Sequence, residues 1–237
     1  MSKVKKIIIA ALIFVVLAIV AMIPIPYVIE SPGTAEDVSQ FLTISGAKDE
    51  DPGSLRVLTV YVEQATVLTY FKKFLKHHEI LPSEEVFGDY TPEEFDALQD
   101  FSMRNARSTA VRVAFEAAGK TVERHVNGIF VTRVDQSSNF RDKLQVGDII
   151  ETIDGKSPGN TDESFEELKD YLAGLEPGHT LVLQVKRDDA TMTISAPLKM
   201  DSRTGGIRLG FGGEVDEDVT SDPSVEFDPH GVSGPSG

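Results

Sequence analysis

The sequence predicts an α+β protein behind an N-terminal membrane-spanning helix, and three stretches predict it. Ile7 to Ile29 contains no charged residue. Thr91-Pro92-Glu93-Glu94 opens a long helical pattern that runs to Gly119. Gly128 to Lys199 then alternates as strands do around one amphipathic helical segment. Composition narrows the function. The 237 residues carry 23 Lys and Arg against 38 Asp and Glu, a formal charge of −15, so a cationic surface that tracks nucleic-acid phosphates is not expected. Hydrophobic residues at 41% and charged residues at 26% are globular values, which exclude a wholly disordered chain and a multi-span membrane protein. The absence of Cys excludes a disulfide framework, a thiolate nucleophile, an iron–sulfur cluster and a Cys-based zinc site.

Residues 1–6 read as a basic stub and residues 7–29 as the anchor. About 20 apolar residues at roughly 1.5 Å each cross a hydrocarbon core of about 30 Å. Lys3, Lys5 and Lys6 precede the run, and Glu30, Glu36 and Asp37 follow it. The positive-inside rule therefore places the N-terminus in the cytoplasm and the remainder outside, as a single-pass cell-membrane protein. A cleaved signal peptide has the same charge order but a shorter apolar region of about 7–15 residues and a small-x-small site. Ala18 and Ala21 are three apart, and Pro24-Ile25-Pro26 stiffens the exit, so an uncleaved span is the expectation.

Ser54 to Glu63 is β-branched and aliphatic after the Asp51-Pro52-Gly53 turn, and reads as a strand. Thr66 to His78 places Val67, Leu68, Phe71, Phe74 and Leu75 at helical spacing, a short amphipathic helix. Glu79 to Asp100 has eight acidic residues and no Lys or Arg, a solvated stretch. Within it Thr91 can cap, Pro92 suits the first helical position and Glu94 completes a capping box. That helix should run to about Ala118, with Gly119 at the position that ends it. Ala106, Ala110, Val113, Ala114 and Ala117 make its second half small enough for close approach.

A strand at Ile129–Val134 comes next, and a second begins at Gly147-Asp148-Ile149-Ile150 and ends in the Asp154-Gly155 turn. Thr161 or Ser164 caps a helix that carries Phe165, Leu168 and Leu172. Pro177-Gly178 then turns into a strand from Leu181 to Arg187. These elements, in this order over residues 120–200, resemble a PDZ domain of the bacterial, protease-associated type. The resemblance rests on the G-I-F-V-T-R-V strand, Leu144 to Ile150, the turn Ile153 to Gly155, the helix after Thr161, and the segment ending at Arg187. It implies that a peptide adds as a strand beside Ile129, Phe130 and Val131. His125, Val126, Asn127 and Gly128 would form the carboxylate loop, in place of the G-L-G-F loop of many such domains. Leu168 and Leu172 would line the opposite wall.

After Met200 strands are expected at Ile207–Phe211 and Val225–Phe227, with poor order past about Asp201. The chain closes on Gly234-Pro235-Ser236-Gly237. From the anchor through Glu30-Ser31-Pro32-Gly33-Thr34-Ala35, Leu55 to Val60, Ala117-Ala118-Gly119 and this ending, the whole resembles the membrane-anchored, PDZ-containing Lon-like serine proteases of Gram-positive bacteria, the YlbL/SepM type. The family's motif is G-P-S-A-G, which makes Ser236 the nucleophile position. The resemblance implies a Ser-Lys mechanism, in which a desolvated lysine amine acts as base. The family's Lys lies a few dozen residues beyond its Ser, so the chain reads as cut inside its protease domain or as a shortened paralogue. On this reading residues 30–119 hold the N-terminal part of the catalytic domain and residues 201–237 the start of its core. Ser54–Glu63 and Val225–Phe227 would then share a sheet or pack together, with exposed apolar area where that domain is incomplete.

The fold class expected is thus α+β, with a transmembrane helix, a PDZ domain and an incomplete Lon-type protease domain. No cofactor or metal is expected: His77, His78, His125, His179 and His230 lack ligand spacing, and the Gly205-Gly206 and Gly212-Gly213 pairs lack the Lys of a phosphate loop. The implied partners are exported peptides or small membrane or secreted proteins as substrates, the lipid bilayer, and no nucleic acid; a homo-oligomer stays open. Two functions compete, an ATP-independent serine endopeptidase that selects substrates through its PDZ domain and a catalytically inactive, membrane-tethered PDZ adaptor.

Overall fold

The computed structural model describes residues 3–46, 53–202 and 205–228. In chain order these form α1 (Lys3–Ala21), β1 (Pro24–Asp37), β2 (Leu42–Ile44), β3 (Arg56–Thr66), β4 (Glu79–Pro82) and α2 (Ser83–Phe87). The long α3 (Pro92–Ala117), β5 (Val122–Val134), β6 (Ile149–Ile153) and α4 (Asp162–Ala173) follow. The last elements are β7 (Thr180–Arg187), β8 (Ala190–Pro197), β9 (Lys199–Met200), β10 (Ile207–Arg208), β11 (Phe211–Ser221) and β12 (Val225–Phe227). They divide into two compact units.

The first unit holds the described residues up to Gln40 and 53–92. Its N-terminal helix stops at Ala21, eight residues short of the apolar run's end at Ile29. Pro24 and Pro26 cannot continue a helix and push their predecessors into extended backbone, so the chain passes into β1. The remaining 19 residues measure about 28 Å at 1.5 Å per residue and bury no side chain in the protein. Length and composition fit a membrane span or a signal sequence. β1 is the centre of an antiparallel sheet ordered β3-β1-β4, with Val28, Ile29 and Ala65 fully buried. Outward, Leu58 is 80% and Val60 64% exposed. The acidic stretch from Glu79, expected to be solvated, supplies β4 and the short α2 before α3.

The second unit holds 41–46 and the described residues from Glu93 onward. Its sheet runs β11-β5-β6-β7-β8, every pair antiparallel. Val131, Phe140, Ile150, Ile153, Leu168, Leu181, Leu183 and Val185 pack as its core. The strands expected at Ile129–Val134, at Ile149 up to the Asp154-Gly155 turn, at Leu181–Arg187 and at Val225–Phe227 are present, while the one expected at Ile207–Phe211 is broken at Leu209-Gly210 into β10 and the start of β11. The end of α3 is as expected: Gly119 takes φ +68° and the Lys120 N–H bonds back to Phe115 O at 2.8 Å. Thr161, not Ser164, is the cap of α4; its Oγ1 accepts from Ser164 N at 3.1 Å, and Ser164 closes the box. On the other face of the sheet Phe101 of α3 stacks on Phe130 of β5, with ring centroids 4.1 Å apart and planes 8° from parallel.

Two expectations are corrected. β3 pairs with β1, whereas β12 pairs with β2 (Val225 opposite Ile44, Phe227 opposite Leu42), so Ser54–Glu63 and Val225–Phe227 lie in different sheets. Residues past Asp201 build an 11-residue strand, β11, paired along β5 from Phe211 opposite Val134 to Ser221 opposite Val122. The boundary expected at residue 200 therefore falls inside one sheet.

The turn after β6 shows how this sheet is pinned. Asp154 and Gly155 take φ +49° and +76°, and the Asp154 carboxylate accepts from Val182 N (2.8 Å), Tyr171 Oη (2.9 Å) and His179 Nε2 (2.7 Å). Burial by itself raises the carboxyl's pKa, but the bonds from Val182, His179 and Tyr171 outweigh it and leave the pKa below its ordinary value. A carboxyl with a lowered folded pKa adds stability that is fully present above its free value near about 3.9 and is lost as pH falls through the folded value. The stability gap between the parent and Asp154→Asn, read by urea unfolding, should therefore narrow as pH falls from about 5 toward 2. A gap that does not change with pH would remove the charge from this account.

Candidate functional site

The residues singled out from sequence as the binding strand lie inside the sheet. Ile129 and Val131 are buried in the core, Phe130 is buried against Phe101, and both edges of this stretch are paired. On one side Ile129 and Phe130 face Ile150 and Ile149 of β6; on the other Ile129, Phe130 and Val131 face Val215, Glu214 and Gly213 of β11. A peptide strand has no backbone groups left to meet there, so the assignment is corrected.

His125–Gly128 is not a loop either. His125 and Val126 pair with Asp218 and Glu217, and the register shifts across Asn127, whose amide donates to Asp216 Oδ2 (3.3 Å) and Asp218 Oδ2 (2.9 Å). Val126 N is satisfied by Asn160 Oδ1 at 2.9 Å. Gly128, at φ +151°, brings the chain so near β6 that a Cβ would lie 2.5 Å from Ile150 O. Two carboxylates beside Asn127 would repel a peptide's terminal carboxylate. Of the expected opposite wall, Leu168 is buried in the core, whereas Leu172 is half-buried at its margin beside Phe165. Ser236 lies outside the described residues.

Sequence reasoning missed the outer strand. β11 ends the sheet order, and among the described residues no strand pairs with its far side. The turn that launches it is Arg208-Leu209-Gly210-Phe211, so the letters L-G-F stand directly before β11 and about eighty residues beyond Ile129 of β5. Gly210 takes φ +79°, and its carbonyl accepts from Asp135 N at 2.9 Å. Phe211 meets Phe140 edge-on at 5.3 Å, and Leu209 packs on the core. Beside the turn lie two cations: Arg208 reaches Asp135 Oδ2 (3.0 Å), and Lys199 Nζ donates to Ser137 O.

Neighbouring charges fix the strand. Glu217 and Asp216 are buried polar residues of β11. Glu217 receives Arg124 through Nε (2.9 Å) and Nη2 (2.6 Å), and the same guanidinium gives Nη1 to Asp162 of α4 (2.8 Å). The bonds to Asp162 and Glu217 raise the Arg124 pKa, and the bond from Arg124 lowers that of Asp162. Ser108 of α3 donates to Glu217 O at 3.0 Å, and Arg104 stands 3.6 Å from Asp216. Arg124 thus ties the start of α4 to the second half of β11. Among the described residues no three His, Asp or Glu side chains converge as metal ligands.

The family model of the PDZ domain matches residues 102–198. The chain carries a PDZ domain. A PDZ domain points to a peptide partner. Two solved structures are similar to it, the PDZ domains of SdrC-like proteins from Listeria monocytogenes and Listeria innocua. Each is 25% identical and covers 37% of this chain, and 87% and 94% of its own, with TM-scores of 0.32 and 0.33. None of the curated proteins matches the chain. The matched span stops short of β11, which the sheet nonetheless adds to the domain's edge.

Proposed function

We propose that this protein is anchored in the cell membrane by α1, holds its N-terminus in the cytoplasm, and uses its PDZ domain outside the membrane to bind exported polypeptides. The observation that carries the binding mode is that, among the described residues, no strand pairs with the outer edge of β11, which the Leu209-Gly210-Phe211 turn launches. An extended peptide adds there as a further strand; main-chain bonds supply affinity, and Phe165 and Leu172 of α4 offer apolar surface for side chains. The bound polypeptide is then cut by a Lon-like Ser-Lys site in which Ser236 Oγ attacks the scissile carbonyl and passes its proton to a lysine amine, which returns it to the leaving amine. The resemblance of Gly234-Pro235-Ser236-Gly237 to the family motif supports this step. The apolar row of Leu58 and Val60 on β3 supports a further layer over that sheet.

Amide shifts of the 15N-labelled protein titrated with extended peptides should be largest at residues 209–219. Shifts centred elsewhere on the domain would remove β11 from the role. Ser236→Ala, made in the protein expressed from its native gene, should abolish cleavage of a bound peptide and leave its affinity unchanged. Undiminished cleavage excludes Ser236 as the nucleophile, whereas a parent protein that binds the peptide without cutting it leaves the peptide-binding adaptor as the function.

A further inference from the structure

Residues 66–78, TVLTYFKKFLKHH, contain three lysines and no acidic residue in a chain whose net charge is −15. The periodicity predicts an amphipathic helix, and in a soluble domain its apolar face would be buried. Only Thr69–Phe74 is helical, as a 3-10 segment, and the apolar side chains point outward: Phe71 is 61% and Phe74 75% exposed, with Leu68 and Leu75 exposed beside them. Four large apolar groups on one short segment exceed the scattered surface hydrophobics of a soluble protein.

Their position identifies the solvent they face. The Leu68 N–H donates to Ala21 O at 3.0 Å and the Val67 N–H to Ile23 O at 3.1 Å, so this segment is fastened to the last residue of α1 and the exit that follows. Tyr70 and Tyr27 meet edge-on at 5.3 Å in the same place, and Lys73 lies over the Tyr70 ring at 4.2 Å. Where α1 crosses the bilayer, its end lies at the boundary between hydrocarbon and headgroups. Tyr, Phe and Lys are the residues that settle there, rings toward the acyl chains and ammonium groups toward phosphate.

We propose that residues 67–76 are a second membrane contact, seated in the outer interface of the bilayer that α1 spans. Leu68, Phe71, Phe74 and Leu75 enter the acyl boundary, Lys73 and Lys76 meet lipid phosphates, and Lys72 stays paired with Glu63. The contact rests on the anchor reading and is independent of what the PDZ domain binds. It fixes the height and tilt of the first unit against the membrane, which a single helix does not do.

The chain has no Trp, so Phe74→Trp introduces a lone fluorophore. The full-length variant, reconstituted in phosphatidylcholine vesicles, should emit blue-shifted light and lose at least half its intensity when the lipids are brominated near the headgroup. Phe71→Trp provides the same reading should the first variant fold poorly. Ile13→Trp, in mid-helix, should be quenched by lipids brominated deep in the acyl chain. Water-like, unquenched emission at position 74 with quenching at position 13 overturns the second contact and leaves the anchor. Absence of quenching at both positions shows that α1 does not span, and the contact falls with it. Adding phosphatidylglycerol should deepen quenching at position 74 through the lysines; identical emission with and without it overturns their part.

Discussion

Asp148→Ala is expected to lower the stability of the PDZ sheet by about 3–5 kcal/mol, the usual cost of breaking a buried, hydrogen-bonded ion pair from one side. Asp148 is 1% exposed and is gripped on both oxygens by Arg187, Nε to Oδ1 and Nη2 to Oδ2, each at 2.7 Å. Its Oδ2 also takes the Gln145 N–H at 2.8 Å, and Arg187 Nη2 continues to Lys143 O at 2.9 Å. One carboxylate thus joins the loop before β6 to the end of β7. Its bond raises the Arg187 pKa; with the partner gone that rise is lost, but a guanidinium is intrinsically basic enough to stay charged, and it is left partly buried without compensation. Against a total of about 5–15 kcal/mol for an ordinary domain the loss is large. Urea midpoints measure it. Asp148→Leu with Arg187→Met should recover most of the loss, because two apolar groups of similar volume leave no buried charge. A single-mutant cost below about 1 kcal/mol would mean that water solvates Arg187 in place of Asp148.

That pair also marks the limit of what the residues disclose in order. The Thr161 cap, the Asp154-Gly155 turn and the Gly119 terminus are legible because each depends on neighbours within five positions, and the structure contains all three. β11 is not legible: its run Gly212 to Asp218 puts four acidic residues in five positions, which breaks the alternation a half-buried strand shows. Asp216 and Glu217 tolerate burial only because Arg104, Arg124 and Asn127 come to them from about ninety residues or more away. The interior position of Ile129–Val131 is illegible for the same reason. Ile129–Val131 has the composition of a strand, but whether a strand is central or at an edge depends on remote partners, here β6 and β11. Residues 66–78 show a third limit: an apolar period at helical spacing reads alike for a core face and for a membrane face. Only the backbone bonds to Ala21 and Ile23 separate the two.

Gly210→Val tests the edge at its origin. A valine there meets two costs. At φ +79° its Cβ crowds the backbone by about 1–2 kcal/mol, and the Cβ would lie 2.4 Å from Ser138 Oγ and 2.8 Å from Ser138 Cβ. Ser138 cannot simply rotate away, because its Oγ accepts the Phe140 N–H at 3.0 Å and Phe140 is buried in the core. The turn must move instead. It carries with it the bond from Asp135 N to Gly210 O, the Phe211 ring against Phe140, and the first residues of β11. Peptide affinity should therefore fall at least tenfold while the β6-β7-β8 part of the sheet keeps its native amide shifts. Ser138→Gly added to Gly210→Val removes the obstacle and leaves only the backbone strain, so part of the affinity should return. A Gly210→Val protein that binds peptide as tightly as the parent would mean that the ligand enters elsewhere on the domain, because no displacement of this turn can leave the start of β11 where a peptide strand needs it.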